Sequence, residues 1–290
     1  MIEADGQRLG NKERDAMHLV NKAIWAIERR LVGEVTLDAV AAACGASPSH
    51  LAHVFSAGAG TSVVAYARAR RLSLAAEALA NGGDDIFAVA LDTGYSSHEA
   101  FTRAFRAAFG KTPEEVRAAG TTDGLALTAP LPYLNVGPAL SACPERFVSL
   151  PERRAVGLVE RLAHGDVASI PLQWGRFMQR YAEIDDKSDP IPWGVAFHEA
   201  DGFDYACAAL VSRIGDVPEG LRALRLPACD YAVYRHDGHI SRIAETYAAI
   251  CGDAPKSERP LAGPTLEQHA PDFDTKTGFG GVFIYMPAFA

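Results

Sequence analysis

The sequence predicts a multidomain protein in which an all-α domain with two helix-turn-helix units precedes an α+β domain built from two strand-helix-strand-strand repeats. Three observations predict this fold class. The first 120 residues are rich in Ala, Leu and Arg and repeat at a spacing of 49 to 50 residues. Residues 120–144 are rich in proline, and beyond Pro144 helical patterns alternate with short segments rich in Val, Tyr and Phe.

Composition excludes several classes of protein. Of the 290 residues, 48% are hydrophobic and 22% are charged, as in an ordinary globular chain and not in a disordered, collagen-like or coiled-coil one. The longest apolar runs, 39–44 and 280–286, are too short to span a membrane, and residues 1–14 lack the apolar core of a signal peptide. We therefore expect no membrane partner.

The five cysteines form no C-x-x-C pair and lie in apolar contexts. An odd number without paired spacing argues against a disulfide framework and a zinc site, and favours reduced thiols in a cytoplasmic protein. We expect neither a metal nor another cofactor. The cysteines are Cys44, Cys143, Cys207, Cys229 and Cys251.

Charge is unevenly distributed along the chain. The formal net charge is −8, the wrong sign for a generic nucleic-acid binder. Residues 1–120 hold 13 Lys and Arg against 14 Asp and Glu, a net of −1, whereas residues 121–290 hold 15 against 22, a net of −7. DNA contacts in the first part must therefore come from local arginines and helix N-termini. The acidic second part either suits a neutral or cationic partner or simply aids solubility.

The first duplication has the pattern of a helix-turn-helix. Residues 37–45 match residues 86–94 at an offset of 49, and beyond a glycine turn the offset becomes 50. Each copy contains a short apolar helix, a tight turn that favours glycine, a serine cap and a second amphipathic helix. The aligned pairs are Ser47 with Ser97, Leu51 with Phe101, Phe55 with Phe105, Gly60 with Gly110 and Ser62 with Thr112.

A single copy fits a generic pair of packed helices equally well. Two copies at matched spacing, joined by a helix over 63–79 that carries Arg68, Arg70 and Arg71, favour DNA. The two second helices would then enter successive major-groove segments about 34 Å apart. Alternatively, these arginines pair inside the domain with Glu77 or Asp92.

Residues 17–118 resemble the DNA-binding domain of the AraC/XylS family. The matching motifs are AAACGASPSHL (41–51), Arg70-Arg71-Leu72 with Ala75-Ala76, GYSSHEAFTRAF (94–105) and FGKTP (109–113). The resemblance implies a DNA-binding domain over 17–119 that contacts bases through Ser49, His53, His98, Glu99 and Arg103. We expect a core formed by Leu51, Phe55, Phe101, Phe105 and Phe109.

Among these residues Arg103 is the strongest candidate for contact with a base or a phosphate. A bidentate contact from Arg to guanine contributes roughly 1–3 kcal/mol of discrimination. The first copy departs from the family. The family usually has Arg where this chain has His53, and a bulky or polar residue where it has Ala52. Base contact by the first recognition helix is thus expected to be weaker or more apolar.

Residues 120–144 predict a linker or an irregular segment packed on the surface, because four prolines occur among few charges. Beyond them a second duplication appears at a shift of 73. It places Leu158–His164 on Tyr231–Asp237, Trp174 on Tyr247, and Trp193–Glu199 on Leu266–Asp272. Two such units would pair around a pseudo-twofold axis and leave a cleft between them, where ligand pockets often lie.

Residues 145–290 resemble the GyrI-like effector-binding domain. The supporting motifs are LPA (226–228), HDGHI (236–240) with Tyr247, and GPTLE (263–267). The resemblance implies a sensor of lipophilic, often cationic, small molecules.

Glu267 matches the acidic residue that binds cations in the GyrI-like family. A carboxylate in an apolar cleft is costly unless it is paired, and a ligand cation supplies such a pair. The alternative is a solvent-facing strand residue. The family usually has Tyr where this chain has His269, which weakens the expectation of a cationic ligand. For four aromatic residues the sequence supports two interpretations equally, a wall of the cleft and a place in the core. They are Trp174, Trp193, Tyr247 and Tyr285.

Other chemistry is less well supported. His236, His239 and His269 share no metal-ligand spacing, and we expect them in turns and on the surface. Neither Ser141 nor Ser169 lies in a G-x-S-x-G motif.

The sequence therefore predicts a cytoplasmic transcription regulator and not an enzyme. Its expected partners are double-stranded DNA, a small-molecule effector and RNA polymerase. One alternative is a GyrI-like hydrolase of small electrophiles, in which Glu267 orients or deprotonates water with help from Tyr247 or Tyr285. Another is a protein-interaction domain fused to a DNA-binding module.

Overall fold

A computed structural model describes residues 10–31, 35–82, 85–134, 143–163, 166–251 and 262–287. The chain divides into two compact units. We call residues 23–132 the helical unit. The residues up to Lys22 together with those from Tyr133 onward form the sheet unit.

The described part of the chain from Asn11 to Ala119 is helical, as the periodic apolar positions predict. Each short helix ends at a glycine, a threonine or an asparagine. The helices are α1 (Asn11–Glu28), α2 (Leu37–Cys44), α3 (Pro48–Ala59), α4 (Val63–Ala80), α5 (Ile86–Asp92), α6 (His98–Phe109) and α7 (Pro113–Ala119). The apolar periodicity of the sequence before Gly33 predicts that the first helix ends at this glycine, which lies outside the described residues.

Two helix-turn-helix units, α2–α3 and α5–α6, confirm the first duplication. The side chains of Ser47 and Ser97 accept hydrogen bonds from backbone N–H groups in the first turns of α3 and α6. Between the helices of each unit the chain turns at a glycine, with φ of 66° at Gly45 and 82° at Gly94. Only glycine adopts this left-handed conformation without steric cost, so the turn explains the repeated glycine.

Helical packing confirms the predicted core. Leu51, Phe55, Phe101 and Phe105 are fully buried. Phe109 packs at the edge of the same cluster, with its ring centroid 4.8 Å from that of Phe105.

An ion pair lies inside the helical unit. Arg70 of α4 donates to both carboxylate oxygens of Glu28 on α1, at 2.9 and 3.1 Å, and Tyr66 donates to the same carboxylate at 2.5 Å. Glu28 and Arg70 are almost completely buried. The expected partners Glu77 and Asp92 are therefore wrong for Arg70, because the C-terminal end of α1 brings Glu28 against α4.

The buried cluster of Glu28, Arg70 and Tyr66 also holds the segment that follows α7 in place. Arg70 donates to the carbonyl of Thr128 at 2.6 Å, and the Thr128 N–H donates to Ser73 at 2.8 Å. The N–H of Leu131 donates to the hydroxyl of Tyr66 at 2.9 Å. Residues 128–131 are thus an irregular segment packed on the helical unit, one of the two forms predicted for this proline-rich stretch. Residues 135–142 lie outside the described part.

The first residues of α1 pack with the sheet unit. His18 Nδ1 lies 3.7 Å from the carboxylate of Glu245, and the Lys22 ammonium lies 4.8 Å from the ring centroid of Phe279. From the sequence, the DNA-binding domain is expected to begin at residue 17 and to include both residues, whereas the structure groups the residues up to Lys22 with the sheet unit.

The sheet unit is built on one eight-stranded antiparallel sheet in the order β1-β6-β8-β7-β3-β4-β2-β5. Two helices, α8 (Ile170–Arg180) and α9 (Ile243–Cys251), connect strands in the two repeats. The strands are β1 (Arg146–Leu150), β2 (Arg153–Leu162), β3 (Trp193–His198), β4 (Phe203–Val211), β5 (Arg222–Leu226), β6 (Cys229–His236), β7 (Thr265–His269) and β8 (Val282–Pro287).

The second duplication is visible in this sheet and confirms the predicted fold class. The order β2-α8-β3-β4 recurs as β6-α9-β7-β8, and the sheet is symmetric about its central pair β7 and β3. The edge strands are exchanged between repeats, because β1 precedes β2 but pairs with β6, whereas β5 precedes β6 but pairs with β2. This exchange ties the two repeats together.

Alternate residues of each strand face opposite sides of the sheet. One face packs Val195, Tyr231 and Tyr285 into one core cluster. The other face packs Tyr205 and Cys207 against residues that include Phe177 of α8. The sheet unit therefore has a separate core on each face.

Two histidines of the HDGHI motif are buried, which contradicts their expected surface position. His236 shares hydrogen bonds with Thr246 and with the carbonyl of His239, and His239 contacts Ser241. Burial lowers the pKa of His239 to about 3, so this ring is neutral at physiological pH. In the described residues, no group of three His, Cys, Asp or Glu side chains is arranged to hold a metal ion.

No helix in the described ranges is both long enough and apolar enough to cross a membrane.

We predict that Arg70→Met lowers the opening free energy of α4 by about 3–5 kcal/mol, because it leaves the Glu28 carboxylate buried without its cation. Hydrogen exchange of α4 in the full chain, read by mass spectrometry, measures this quantity. The double variant Glu28→Gln with Arg70→Met should recover much of the loss. Equal opening in the single and double variants would contradict this account of the cluster.

Candidate functional site

The predicted DNA-contacting residues lie on the outward sides of the two second helices. Ser49 and His53 on α3 are exposed, as are Glu99 and Arg103 on α6, and His98 is half-buried. Their spacing places them on one face of each helix, opposite the buried apolar residues. Both helices therefore present a polar face that another molecule can reach.

The N-terminal end of α6 holds a fixed negative charge. The hydrogen bond from its own backbone N–H, followed by one from Ser97, lowers the pKa of Glu99. His98 Nε2 lies 3.3 Å from the Glu114 carboxylate on α7. One turn further along, Arg103 and Arg106 are both exposed, so the outward face of α6 combines an acceptor with two guanidinium donors.

In the sheet unit, Glu267 lies at the central strand pair and its carboxylate is held by two phenols. Tyr205 of β4 donates to Oε2 and Tyr247 of α9 donates to Oε1, each at 2.7 Å. The indole N–H of Trp174 on α8 donates to the Tyr205 hydroxyl at 3.3 Å. Both repeats thus contribute to one hydrogen-bonded cluster.

Electrostatics make this carboxylate unusual. Burial among the surrounding rings raises the pKa of Glu267, and the hydrogen bonds from Tyr247 and Tyr205 only partly offset the shift. Burial and the nearby carboxylate raise the pKa of both tyrosines well above its ordinary value, so their hydroxyls remain donors. A carboxylate in this position gains from any added positive charge.

Aromatic rings surround the carboxylate and remain accessible. Trp174, Tyr247, Glu267 and His269 are each half-buried. The rings of Trp174 and His269 are 5.5 Å apart, and the His269 ring stacks on Phe273 at 3.9 Å. We call the group of these five residues the effector cleft, after the cleft that the two repeats are expected to leave between them. Trp174 and Tyr247 occupy equivalent positions in the two repeats, as the shift of 73 predicts.

Two of the predicted ligand residues do not join this cleft. Trp193 and Tyr285 lie in the core of the opposite face, with ring centroids 5.3 Å apart. The Trp193 indole donates to Asp189, and the Tyr285 hydroxyl donates to Gln268. Their packing favours the core role that the sequence left open. Glu267 pairs with Gly194, whereas Trp193 is one position earlier on that strand and therefore faces the opposite side.

Two residues of the site were missed in the sequence. Gly194 is the cross-strand partner of Glu267, and the shift of 73 also makes it the repeat equivalent of Glu267. The pseudo-twofold axis therefore passes between them. A side chain at Gly194 would overlap the hydroxyl of Tyr205 and come within 3.0 Å of Glu267 Oε2. The repeat alignment contained a signal for Gly194, but no pattern identified Tyr205 as the donor.

Comparison with known proteins agrees with this architecture. Residues 40–119 match the model of a helix-turn-helix domain, and residues 145–287 match that of the GyrI-like small molecule binding domain. The fold thus defines a protein with an N-terminal helix-turn-helix domain and a C-terminal domain of the GyrI-like class. The chain belongs to the AraC/XylS family of helix-turn-helix regulators.

Three curated relatives illustrate the similarity. The transcriptional regulator BrlR of Pseudomonas aeruginosa is 33% identical over 128 residues, which cover 43% of this chain and 47% of that protein. The right origin-binding protein of Escherichia coli K12 is 35% identical over 137 residues, which cover 47% and 46%. The regulatory protein SoxS of Salmonella typhimurium is 33% identical over 99 residues, which cover 34% of this chain and 92% of SoxS. The chain thus spans about half the length of the first two.

We predict that Gly194→Ala destabilises the sheet unit by about 1–3 kcal/mol, because the added methyl group displaces Tyr205 from Glu267. Urea unfolding of the full chain measures the change through tryptophan fluorescence, since Trp174 and Trp193 both lie in this unit. The same substitution in a Tyr205→Phe background should cost less, because the overlapping hydroxyl is gone. An equal cost in both backgrounds would show that the glycine serves another purpose.

Proposed function

We propose that this protein is a one-component transcription regulator that binds specific duplex DNA through α3 and α6 and senses a lipophilic cation in the effector cleft. The DNA-binding domain is assigned to residues 17–119 and the effector domain to 145–290, with 120–144 between them. The site of action is the cytoplasm, and RNA polymerase is a further partner. Ligand binding regulates DNA binding if the cation favours one arrangement of the domains over another.

The observation that carries the sensing role is the Glu267 carboxylate held only by phenols. Within the described residues, its hydrogen-bond donors are Tyr205 and Tyr247, and no lysine or arginine nitrogen lies within 4.0 Å. Phenolic hydroxyls orient the carboxylate but leave its charge uncompensated. Aromatic faces such as that of Trp174 attract cations, so a flat or bulky organic cation fits both the charge and the walls.

The DNA-binding role is supported by the duplicated geometry of the helical unit. The second helices expose four of the five residues predicted to contact bases and fully bury four of the five residues predicted to form the core. The exposed residues are Ser49, His53, Glu99 and Arg103. Helices with this arrangement enter the major groove in helix-turn-helix proteins. The relatives with this domain are named as regulators, which also makes a hydrolase the less favoured alternative.

We predict that Glu267→Gln weakens binding of methyltriphenylphosphonium about tenfold or more, because the ligand cation loses its only nearby carboxylate in the cluster. Triphenylphosphine oxide, a neutral compound of similar shape, should lose little affinity. Isothermal titration calorimetry compares the two ligands. Equal losses for both would contradict the carboxylate-cation pair.

The same pair predicts the pH dependence of ligand binding. The cation pairs with the ionised carboxylate, and the pKa of Glu267 is raised by burial. Cation affinity should therefore fall as the pH is lowered through that raised pKa, since protonation removes the charge. Titrations across a pH series should show this fall in the unmodified protein and lose it in Glu267→Gln.

Selection of bound duplexes from a random pool tests the regulator assignment directly. We expect the full chain to enrich a two-part sequence, and addition of methyltriphenylphosphonium to change its affinity. Arg103→Ala should weaken binding to that sequence without loss of folding, because this residue is exposed. Arg225→Ala in the sheet unit is the matched control and should not weaken it. Absence of any enriched sequence would refute sequence-specific binding.

A further inference from the structure

The two recognition helices have the same scaffold but different charge. We propose that they contribute unequally to DNA binding: α6 supplies the ionic contacts to phosphate groups, and α3 contacts bases with an uncharged face. This inference rests on the proposed DNA-binding function and assigns the salt-dependent part of the affinity to one of the two helices.

The scaffolds match position by position at an offset of 50 residues. Each helix has twelve residues, a serine cap that accepts a backbone hydrogen bond, and a left-handed glycine after its last residue. Leu51 and Phe101 are both fully buried, and so are Phe55 and Phe105. Because the backbone and the core are equivalent, the outward side chains are the remaining difference.

Those outward side chains differ in charge. Glu99, Arg103 and Arg106 on α6 are charged and exposed, whereas α3 contains no Asp, Glu, Lys or Arg. Histidine contributes nothing to the formal net charge at pH 7. The matched pairs are Ser49 with Glu99, His53 with Arg103, and Ser56 with Arg106.

The residues around the two helices differ in positive charge in the same direction as the helices themselves. No Lys or Arg occurs from Thr36 to Gly60, and on α4 the Arg70 guanidinium is buried against Glu28. Arg68 is the exposed cation of α4. After α6, Lys111 and Arg117 are exposed in addition to the two arginines of the helix itself. Exposed positive charge is therefore concentrated around the second helix-turn-helix unit.

Charge of this kind determines how binding depends on salt. Each phosphate neutralised by Lys or Arg releases condensed counterions, so the slope of log K against log salt changes by about 0.9 for each such phosphate. Serine hydroxyls, which carry no charge, contact bases or sugars without that release. Glu99 adds selectivity on α6, because a carboxylate accepts a hydrogen bond from the amino group of cytosine and repels phosphate.

The test measures DNA affinity of the full chain over a range of salt concentrations, by fluorescence anisotropy, on a selected duplex and on a random-sequence duplex. The α6 variant is Arg103→His with Arg106→Ser, which installs the residues found at the matched α3 positions. The α3 variant is His53→Ala with Ser56→Ala. All four positions are exposed, and circular dichroism verifies that the helices are retained.

We expect the α6 variant to reduce the magnitude of the salt slope by about 1 to 2 on both duplexes, and the α3 variant to leave it unchanged. The converse variant, His53→Arg with Ser56→Arg, should raise the magnitude by a similar amount. The α3 variant should nevertheless distinguish the selected bases from altered ones less well in the half of the site that α3 contacts. The loss should be about fivefold or more for each hydrogen bond to a base that is removed.

Equal changes of slope in the α3 and α6 variants, or a change confined to the α3 variant, would overturn the inference. Failure of the proposed function would look different. In that case the full chain would bind the selected and random duplexes equally well, and the slopes measured on the random duplex would still decide where the ionic contacts lie.

Discussion

The sheet unit depends on one constraint, the placement of a carboxylate at the centre of its pseudo-twofold axis. Glu267 occupies the position that the other repeat fills with Gly194. Because Gly194 has no side chain, the Tyr205 hydroxyl has room to reach the Glu267 carboxylate. Strands from both repeats, together with the helix that carries Tyr247, must assemble before the carboxylate has its donors. Loss of internal symmetry at this single pair of positions thus creates the carboxylate site that we propose for the effector.

The two units bury a carboxylate in opposite ways. Glu28 is paired with the Arg70 guanidinium and with Tyr66, so its charge is compensated within the protein. Glu267 has tyrosine hydroxyls in place of a guanidinium, and its pKa is raised. The first arrangement fastens α1, α4 and the segment after α7 together. The second leaves the carboxylate charge uncompensated by the hydroxyls that hold it, beside aromatic rings, and an organic cation is the ligand that we propose for it.

Periodicity and internal repetition predicted most of the fold. The offset of 50 residues located both helix-turn-helix units and their buried residues, and the shift of 73 paired Trp174 with Tyr247. Local patterns could not supply contacts between distant segments. Glu28 lies 42 positions from Arg70, and Tyr205 lies 62 positions from Glu267. The choice between wall and core stayed open for Trp193 and Tyr285, because composition does not reveal which face of a buried strand a residue occupies.

The central claim is that Glu267 is the counter-charge for a bound cation, and carbon-13 NMR of its carboxyl group tests that claim most directly. The full chain, labelled at glutamate carboxyl carbons, is titrated with acid in the absence and presence of saturating methyltriphenylphosphonium, and Glu267→Gln assigns the signal. If the account is correct, the bound cation lowers the pKa of Glu267 towards its ordinary value. A pKa that is the same with and without bound cation would contradict it.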